Sequence, residues 1–187
     1  MVSSFATLKT GVTQPVILSI EDAKAHLNIT HGHQDDLIQS YIDAAISEAE
    51  AYTSRSLYIR EVSIKTNTFS NQIKLTDTPY KAALVVKYYD VNNTEQTLGV
   101  DAYVLGYHYG EPVIYFNDSA LLPSLYNRQD AIIITYDAGY GLEVMPLQFT
   151  QFCKLLVGTF YEYRTDSVDK LPRLSYNLIH KYKVQWQ

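Results

Sequence analysis

The residues best suited to chemistry are two histidines one position apart, His31 and His33, followed by Asp35 and Asp36. Two imidazoles and a carboxylate are ligands that a divalent transition metal accepts. However, acidic residues at a helix start also stabilise its positive end, and exposed histidines are common in turns. No second cluster supplies a general base. We therefore interpret the segment as a helix start, and metal binding by the two histidines stays an open alternative.

Three other patterns are weaker. The carboxylates of Asp101 and Glu111 on nearby β-elements could serve acid–base hydrolysis, but any acidic β-region offers such pairs. The turn Gly139–Gly141 before a helix lacks the Lys-Ser/Thr of a P-loop and the third glycine of a dinucleotide fingerprint. Cys153 lies among apolar residues, with no neighbour that would lower its pKa. The sequence therefore predicts a protein that is not an enzyme and needs no cofactor.

Composition narrows the class of protein further. The chain has 187 residues and a net charge of −5, so general attraction to nucleic acid is not expected. The residues after position 163 carry five cations and two acids, a basic tail behind an acidic body. The 17 tyrosines suit either partner-facing surfaces or a Tyr-rich β-region. No signal-peptide pattern and no run of roughly 20 apolar residues is present, which predicts a soluble protein without membrane contact.

The apolar pattern predicts three helices that form a core. The first spans residues 19–27, where Ser19 caps the first turn and Asp22 can reach back to it. The second spans residues 35–54, with apolar residues at spacings of three and four. The third spans residues 146–163 and begins with a proline.

Residues 57–136 read as short strands separated by turn residues, which predicts an antiparallel β-rich region inserted into the helical core. A hairpin turn is predicted at Asn92–Asn93 and a long loop over residues 118–130. The segments 1–18 and 164–187 are predicted to be extended terminal arms. The predicted fold class is therefore α+β.

The third helix is apolar on most of its sides, so most of its sides must be buried. In a chain of this size, a second buried side predicts a contact with another subunit. The residues predicted to form that subunit interface are Phe149, Phe152, Leu155, Val157, Gly158 and Tyr161.

Several segments, in their order along the chain, resemble one known family. They are Leu18–Leu27, Ala49–Leu57, Val85–Leu98, Ile134–Gly141 and Tyr161–Arg164. The series is similar to the head–tail connector (adaptor) proteins of long-tailed double-stranded DNA bacteriophages and covers roughly residues 17–182. At the end of the long helix, where the family usually has Thr-Gly-Arg, this chain has Thr-Ser-Arg, with Ser54 in the place of glycine.

The resemblance implies a structural subunit of the virion neck, made in the host cytoplasm. Residues 19–163 would form the adaptor domain of a ring of twelve copies beneath the portal protein. DNA would pass through the lumen without sequence-specific binding, and a stopper or tail-completion protein would bind the far side. The C-terminal tail would engage the portal through Leu171, Leu174, Tyr176, Leu178, Ile179, Lys181, Tyr182, Lys183 and Trp186. A tail folded back on its own domain is the alternative.

Two other functions stay open. One is a different neck or tail-completion ring, such as a stopper or a tail terminator, although those proteins are dominated by β-barrels and the predicted helices favour the adaptor. The other is a metal- or sugar-binding module that uses His31 and His33 or exposed tyrosines.

Overall fold

Two separate groups of elements form the fold in a computed structural model that describes residues 2–117, 122–141, 144–163 and 173–184. Residues 1–13 and 58–140 make up a sheet unit, and residues 14–57 and 141–187 a helical unit. The sheet unit thus interrupts the helical unit in sequence, and the predicted α+β class is confirmed.

The helical unit is built from helices whose apolar faces meet around the third. In the described residues the helices are α1 Ile20–Leu27, α2 Asp35–Thr53, α3 Leu147–Glu162 and α4 Arg173–Ile179. The three predicted helices are thus present with ends shifted by about one residue, and the short α4 follows them. Helix α3 contacts the other three, and α2 also contacts α1.

Helix α1 begins where the sequence predicted. The Ser19 hydroxyl accepts a hydrogen bond from the Asp22 backbone N–H at 3.1 Å and donates one to the Asp22 carboxylate at 3.0 Å. The carboxylate therefore holds the capping hydroxyl, which satisfies one of the free N–H groups of the first turn.

Helix α2 ends at a residue with strained backbone. Ser54, the C-cap, has φ +55° and a left-handed conformation, and its N–H donates to the Glu50 carbonyl at 2.8 Å. Glycine adopts this conformation without steric cost, whereas residues with a Cβ pay about 1 kcal/mol or more.

We therefore expect Ser54→Gly to stabilise the chain. The free energy of unfolding should rise by about 0.5–1 kcal/mol, because the exposed Ser54 side chain is exchanged for a residue that tolerates φ > 0. Urea denaturation measures the change. The control is Ser54→Ala, which keeps the Cβ and should give no gain; an equal gain from alanine would contradict the backbone explanation.

The sheet unit consists of two antiparallel sheets. The strands are β1 Ser3–Leu8, β2 Arg60–Thr66, β3 Gln72–Lys74, β4 Tyr80–Tyr89, β5 Glu95–Thr97, β6 Tyr103–His108, β7 Glu111–Phe116 and β8 Ile132–Ala138. The five-stranded sheet has the order β1-β2-β8-β4-β5 and the three-stranded sheet the order β3-β7-β6. One apolar core holds residues from both sheets, with Ile64, Ile114 and Ile134 fully buried in it.

The N-terminal segment is more than the extended arm that the sequence predicted, because β1 pairs with β2 over its whole length. Lys9 fixes the end of this strand: its N–H donates to the Ile59 carbonyl at 3.0 Å, and its Nζ lies 2.5 Å from the mostly buried carboxylate of Asp137. The prediction missed β1 because most of its residues are small or polar, and its partners lie more than 50 residues away.

The predicted hairpin turn joins β4 to β5. The carboxylate of Asp90 accepts hydrogen bonds from the N–H groups of Asn92 and Thr94, at 2.9 and 3.1 Å. Both bonds stabilise the charged carboxylate, and the bond from Thr94 has the larger effect. They hold the pKa of Asp90 below its usual range. Of the predicted loop 118–130, residues 122–130 are described; there Arg128 stacks on the Tyr89 ring, 3.8 Å from its centroid.

Candidate docking surfaces

The two histidines of the candidate metal site are both exposed, and their ring centroids lie 5.6 Å apart. Asp35 is engaged elsewhere, since its carboxylate lies 2.7 Å from the Lys24 ammonium group. Within the described ranges, no group of three or more His, Cys, Asp and Glu side chains is arranged to hold a metal ion. Asp35 and Asp36 form the first turn of α2, as the sequence predicted.

The carboxylates of Asp101 and Glu111 cannot act on one bond. Glu111 pairs with His108 at one end of the β6–β7 hairpin, whereas Asp101 precedes β6 at the other end. The length of the six-residue strand Tyr103–His108 separates the two positions, roughly 20 Å at the rise of a β-strand. Paired carboxylates in glycosidases lie within about 10 Å of each other.

Gly139 is required by a close backbone approach. Its φ is +111°, its N–H donates to the Pro79 carbonyl at 2.9 Å, and an added Cβ would lie 2.1 Å from the Tyr58 carbonyl oxygen. The glycine thus lets β8 end against the segment that enters β2. This close backbone packing accounts for Gly139 in the turn Gly139–Gly141, which is a weak candidate for phosphate binding from the sequence.

Cys153 is fully buried in α3, and burial raises the pKa of its thiol to about 12. Because the thiolate is the reactive form, we expect no labelling of the folded protein by a thiol reagent at pH 8. Unfolding in urea should release one reactive thiol per chain. Rapid labelling of the folded protein would show that the thiol is accessible.

The described part of the C-terminal tail, residues 173–184, folds back on the helical unit. The Val184 N–H donates to the Thr53 carbonyl at 2.9 Å, and the Arg55 guanidinium donates to the Tyr182 carbonyl. These bonds fix the tail to the end of α2. The open alternative of a folded-back tail is therefore the arrangement that these residues adopt.

Aromatic rings fill the contact between the tail and the helices. The ring of Tyr176 lies 4.8 Å from that of Tyr52 and 5.4 Å from that of Phe152, and its hydroxyl donates to Glu48 at 2.8 Å. Burial, together with the hydrogen bond to Glu48, raises the pKa of Tyr176 above its ordinary value, so the hydroxyl stays protonated. The Tyr182 ring covers Phe149 in the same way, with centroids 5.1 Å apart.

The residues predicted to dock on the portal divide into three groups. Ile179 is buried within the chain, and Tyr176, Leu178 and Tyr182 are half-buried. Leu174, Lys181 and Lys183 are exposed, Leu174 by 73%. Leu171 and Trp186 lie outside the described residues.

The residues predicted to form a subunit interface divide similarly. Phe149, Phe152 and Val157 are fully buried inside this chain, so α4 and the neighbouring helices account for the apolar sides of α3. Tyr161 is half-buried, and its hydroxyl donates to Gln34 at 2.7 Å. Gly158 is half-buried, and a Cβ added to it would lie 3.5 Å from Nε2 of the His26 ring. Leu155, 39% exposed, is the large apolar side chain of this set that reaches solvent.

The sequence interpretation missed the exposed apolar residues at the edges of the two sheets. Phe5 and Leu8 in β1, and Val104 and Tyr107 in β6, are all more than half exposed. Their apolar character is visible in the sequence, but only the sheet order shows that these strands lie at edges. Of the described helices, none combines the length and apolar character that a membrane span requires.

Part of the chain matches a known protein family. The model of the phage gp6-like head–tail connector protein family matches residues 17–103. The family resemblance that the sequence indicated is therefore confirmed. No curated protein matches the chain.

The fold is similar to chains of solved gene transfer agent (GTA) particles. A chain in the neck of an empty particle, computed with C6 symmetry, is 20% identical, with a TM-score of 0.75 over 98% of this chain and 97% of that one. A chain of a native GTA virion is 19% identical, with a TM-score of 0.71 over 97% of this chain and 96% of that one. A chain in the neck of a native particle, computed with C12 symmetry, is 20% identical, with a TM-score of 0.68 over 98% of this chain and 97% of that one. These likenesses establish the fold.

Proposed function

We propose that this chain, which matches the gp6-like head–tail connector family over residues 17–103, is the adaptor subunit of a phage-type neck. Copies of the chain form a ring between the portal and the stopper or tail, and DNA passes through its lumen. The observation that carries the proposal is the family match, joined to a fold that agrees with neck chains over nearly its whole length. The C12 symmetry of one such neck supports a ring of twelve copies here.

The charge distribution fits this role. A chain with a net charge of −5 does not hold a polyanion by general attraction, so a genome can slide past a ring of such subunits. The described residues supply no metal cluster, and their one cysteine is buried with a raised pKa. The family match supports a structural role, whose chemistry is that of protein–protein contacts.

Particles made without this chain test the proposal. The adaptor role predicts DNA-containing heads that carry the portal but lack tails, because the ring that joins them is missing. Supplying the purified chain to such heads, followed by tails, should restore complete particles. Heads that join tails normally in its absence would contradict the adaptor role.

Portal docking is assigned to the exposed side of the C-terminal segment, Leu174, Lys181 and Lys183. The buried members of the predicted set hold the segment in place, and the exposed cations then offer charge to an acidic partner surface.

We expect the combined change Lys181→Glu and Lys183→Glu to weaken binding to portal-bearing heads by about tenfold or more, because attraction becomes repulsion. Co-sedimentation with heads measures the binding. Thermal unfolding should change little, since both side chains are exposed. The matched control is the combined change Lys65→Glu and Lys81→Glu at two exposed lysines of the sheet unit, which should bind normally. Equal loss in both variants would remove the docking assignment.

A further inference from the structure

Each sheet of the sheet unit has one short edge strand that carries charge and one longer edge strand that does not. The short edges are β3, which contains Lys74, and β5, which contains Glu95. The long edges are β1 and β6, each of six residues and without Lys, Arg, Asp, Glu or Pro. Natural sheets protect free edges by short strands, charges and prolines. Two of the four edges are protected in this way, and β1 and β6 are not.

Among the described residues, no segment pairs with the outer side of either long edge. In the described part of the chain, β1 pairs only with β2, and β6 only with β7. The Lys9 N–H donates towards β2, so alternation along the strand directs the N–H groups of Ser4, Ala6 and Leu8 away from the sheet. Such a row of donors and acceptors is a template for pairing.

Apolar side chains mark the same two strands. In β1, Phe5 and Leu8 are 69% and 57% exposed; in β6, Val104 and Tyr107 are 55% and 63% exposed. Leu8 lies on the same face of β1 as Ala6, and Tyr107 lies on the same face of β6 as Leu105. Ala6 and Leu105 pack against the core. Leu8 and Tyr107 therefore lie on the core-facing sides of their strands but are left exposed by the rest of the chain.

We propose that β1 of one copy pairs with β6 of the next copy, so that the sheets of neighbouring copies join around the ring. The inference rests on the proposed ring and names its contact. Two different edges on one chain make a head-to-tail contact, which repeats and can close by rotation, whereas an edge that pairs with itself stops at two copies.

The distribution of charge favours contact between two copies through β1 and β6 over contact through the protected edges β3 and β5. Each copy carries a net charge of −5, so copies repel one another. Strands β1 and β6 contain no Lys, Arg, Asp or Glu, so they bring two acidic chains together where repulsion is weakest. The edges that carry Lys74 and Glu95 would place charges in the new ladder.

Cysteine crosslinking of the assembled full-length chain tests the pairing. Ser4→Cys and Val104→Cys are both at exposed positions, and Cys153 is buried and stays unreactive. The chain with both substitutions, treated with a short bismaleimide, should give a ladder of covalent multimers. Each single substitution should leave the chain monomeric on a denaturing gel. Dimers from Ser4→Cys alone would mean that β1 pairs with itself, and would overturn the proposal.

Lysine substitutions give a second test that needs no strand register. Phe5→Lys and Val104→Lys should each abolish the ring, whereas the control Val100→Lys, at a 74% exposed position outside the strands, should leave it intact. A ring that persists in both edge variants overturns the edge pairing and leaves the adaptor function standing. A chain that forms no ring alone or on the portal contradicts the adaptor function and the pairing together.

Discussion

Gly139→Ala should lower the free energy of unfolding by about 3 kcal/mol or more. The new Cβ would lie 2.1 Å from the Tyr58 carbonyl oxygen, a backbone atom that cannot move aside as a side chain could. The residue would also have to keep φ +111°, which residues with a Cβ rarely adopt. Urea denaturation, followed by tyrosine fluorescence, measures the loss.

The matched control is Gly99→Ala. An added Cβ there meets no atom within 4 Å, and the backbone has φ −61°, which alanine adopts readily. Its unfolding midpoint should stay close to that of the unchanged chain. If both substitutions had the same small effect, the close approach of β8 to the segment before β2 would not exist in solution.

Removal of residues 173–187 should lower the free energy of unfolding by about 4 kcal/mol or more. The truncation uncovers Phe149 and Phe152, which are fully buried, and discards the buried Ile179. Each large apolar side chain contributes about 1.5–3 kcal/mol when fully buried. The Thr53 carbonyl also loses its hydrogen bond from Val184. Loss of helical circular dichroism with urea measures the effect.

The control for the truncation is Leu174→Ala. Leu174 is 73% exposed, so its removal should change the free energy of unfolding by no more than about 0.5 kcal/mol. If the truncated chain were as stable as the full one, the tail would not be part of the helical core. A loss of portal binding on truncation alone therefore says little about docking, which is why the charge-reversal variants are the sharper test.

The long helices could be predicted because their signals are local. The cap at Ser19 and the apolar spacing of α2 arise from neighbouring residues in sequence, and both appear as expected. The hairpin at Asp90–Thr94 is likewise set by its own turn residues. The β-rich region over residues 57–136 was also predictable, but its sheet order depends on partners that are distant in sequence.

Features set by distant partners could not be predicted. Strand β1 exists because it pairs with β2, and its six residues show no alternation that would indicate a strand. The apolar excess of α3 was attributed to a neighbouring subunit, but α4 covers much of it, which only the tertiary packing reveals. The need for glycine at position 139 depends on the distant Tyr58 carbonyl.

The most direct test of the adaptor account is the mass of the full-length chain in solution, alone and mixed with portal rings. Light scattering gives the number of copies, and negative-stain imaging shows where they bind. The account predicts a closed ring of about twelve copies, formed by the chain alone or on the portal. A chain that stays monomeric and binds no portal ring would contradict the account.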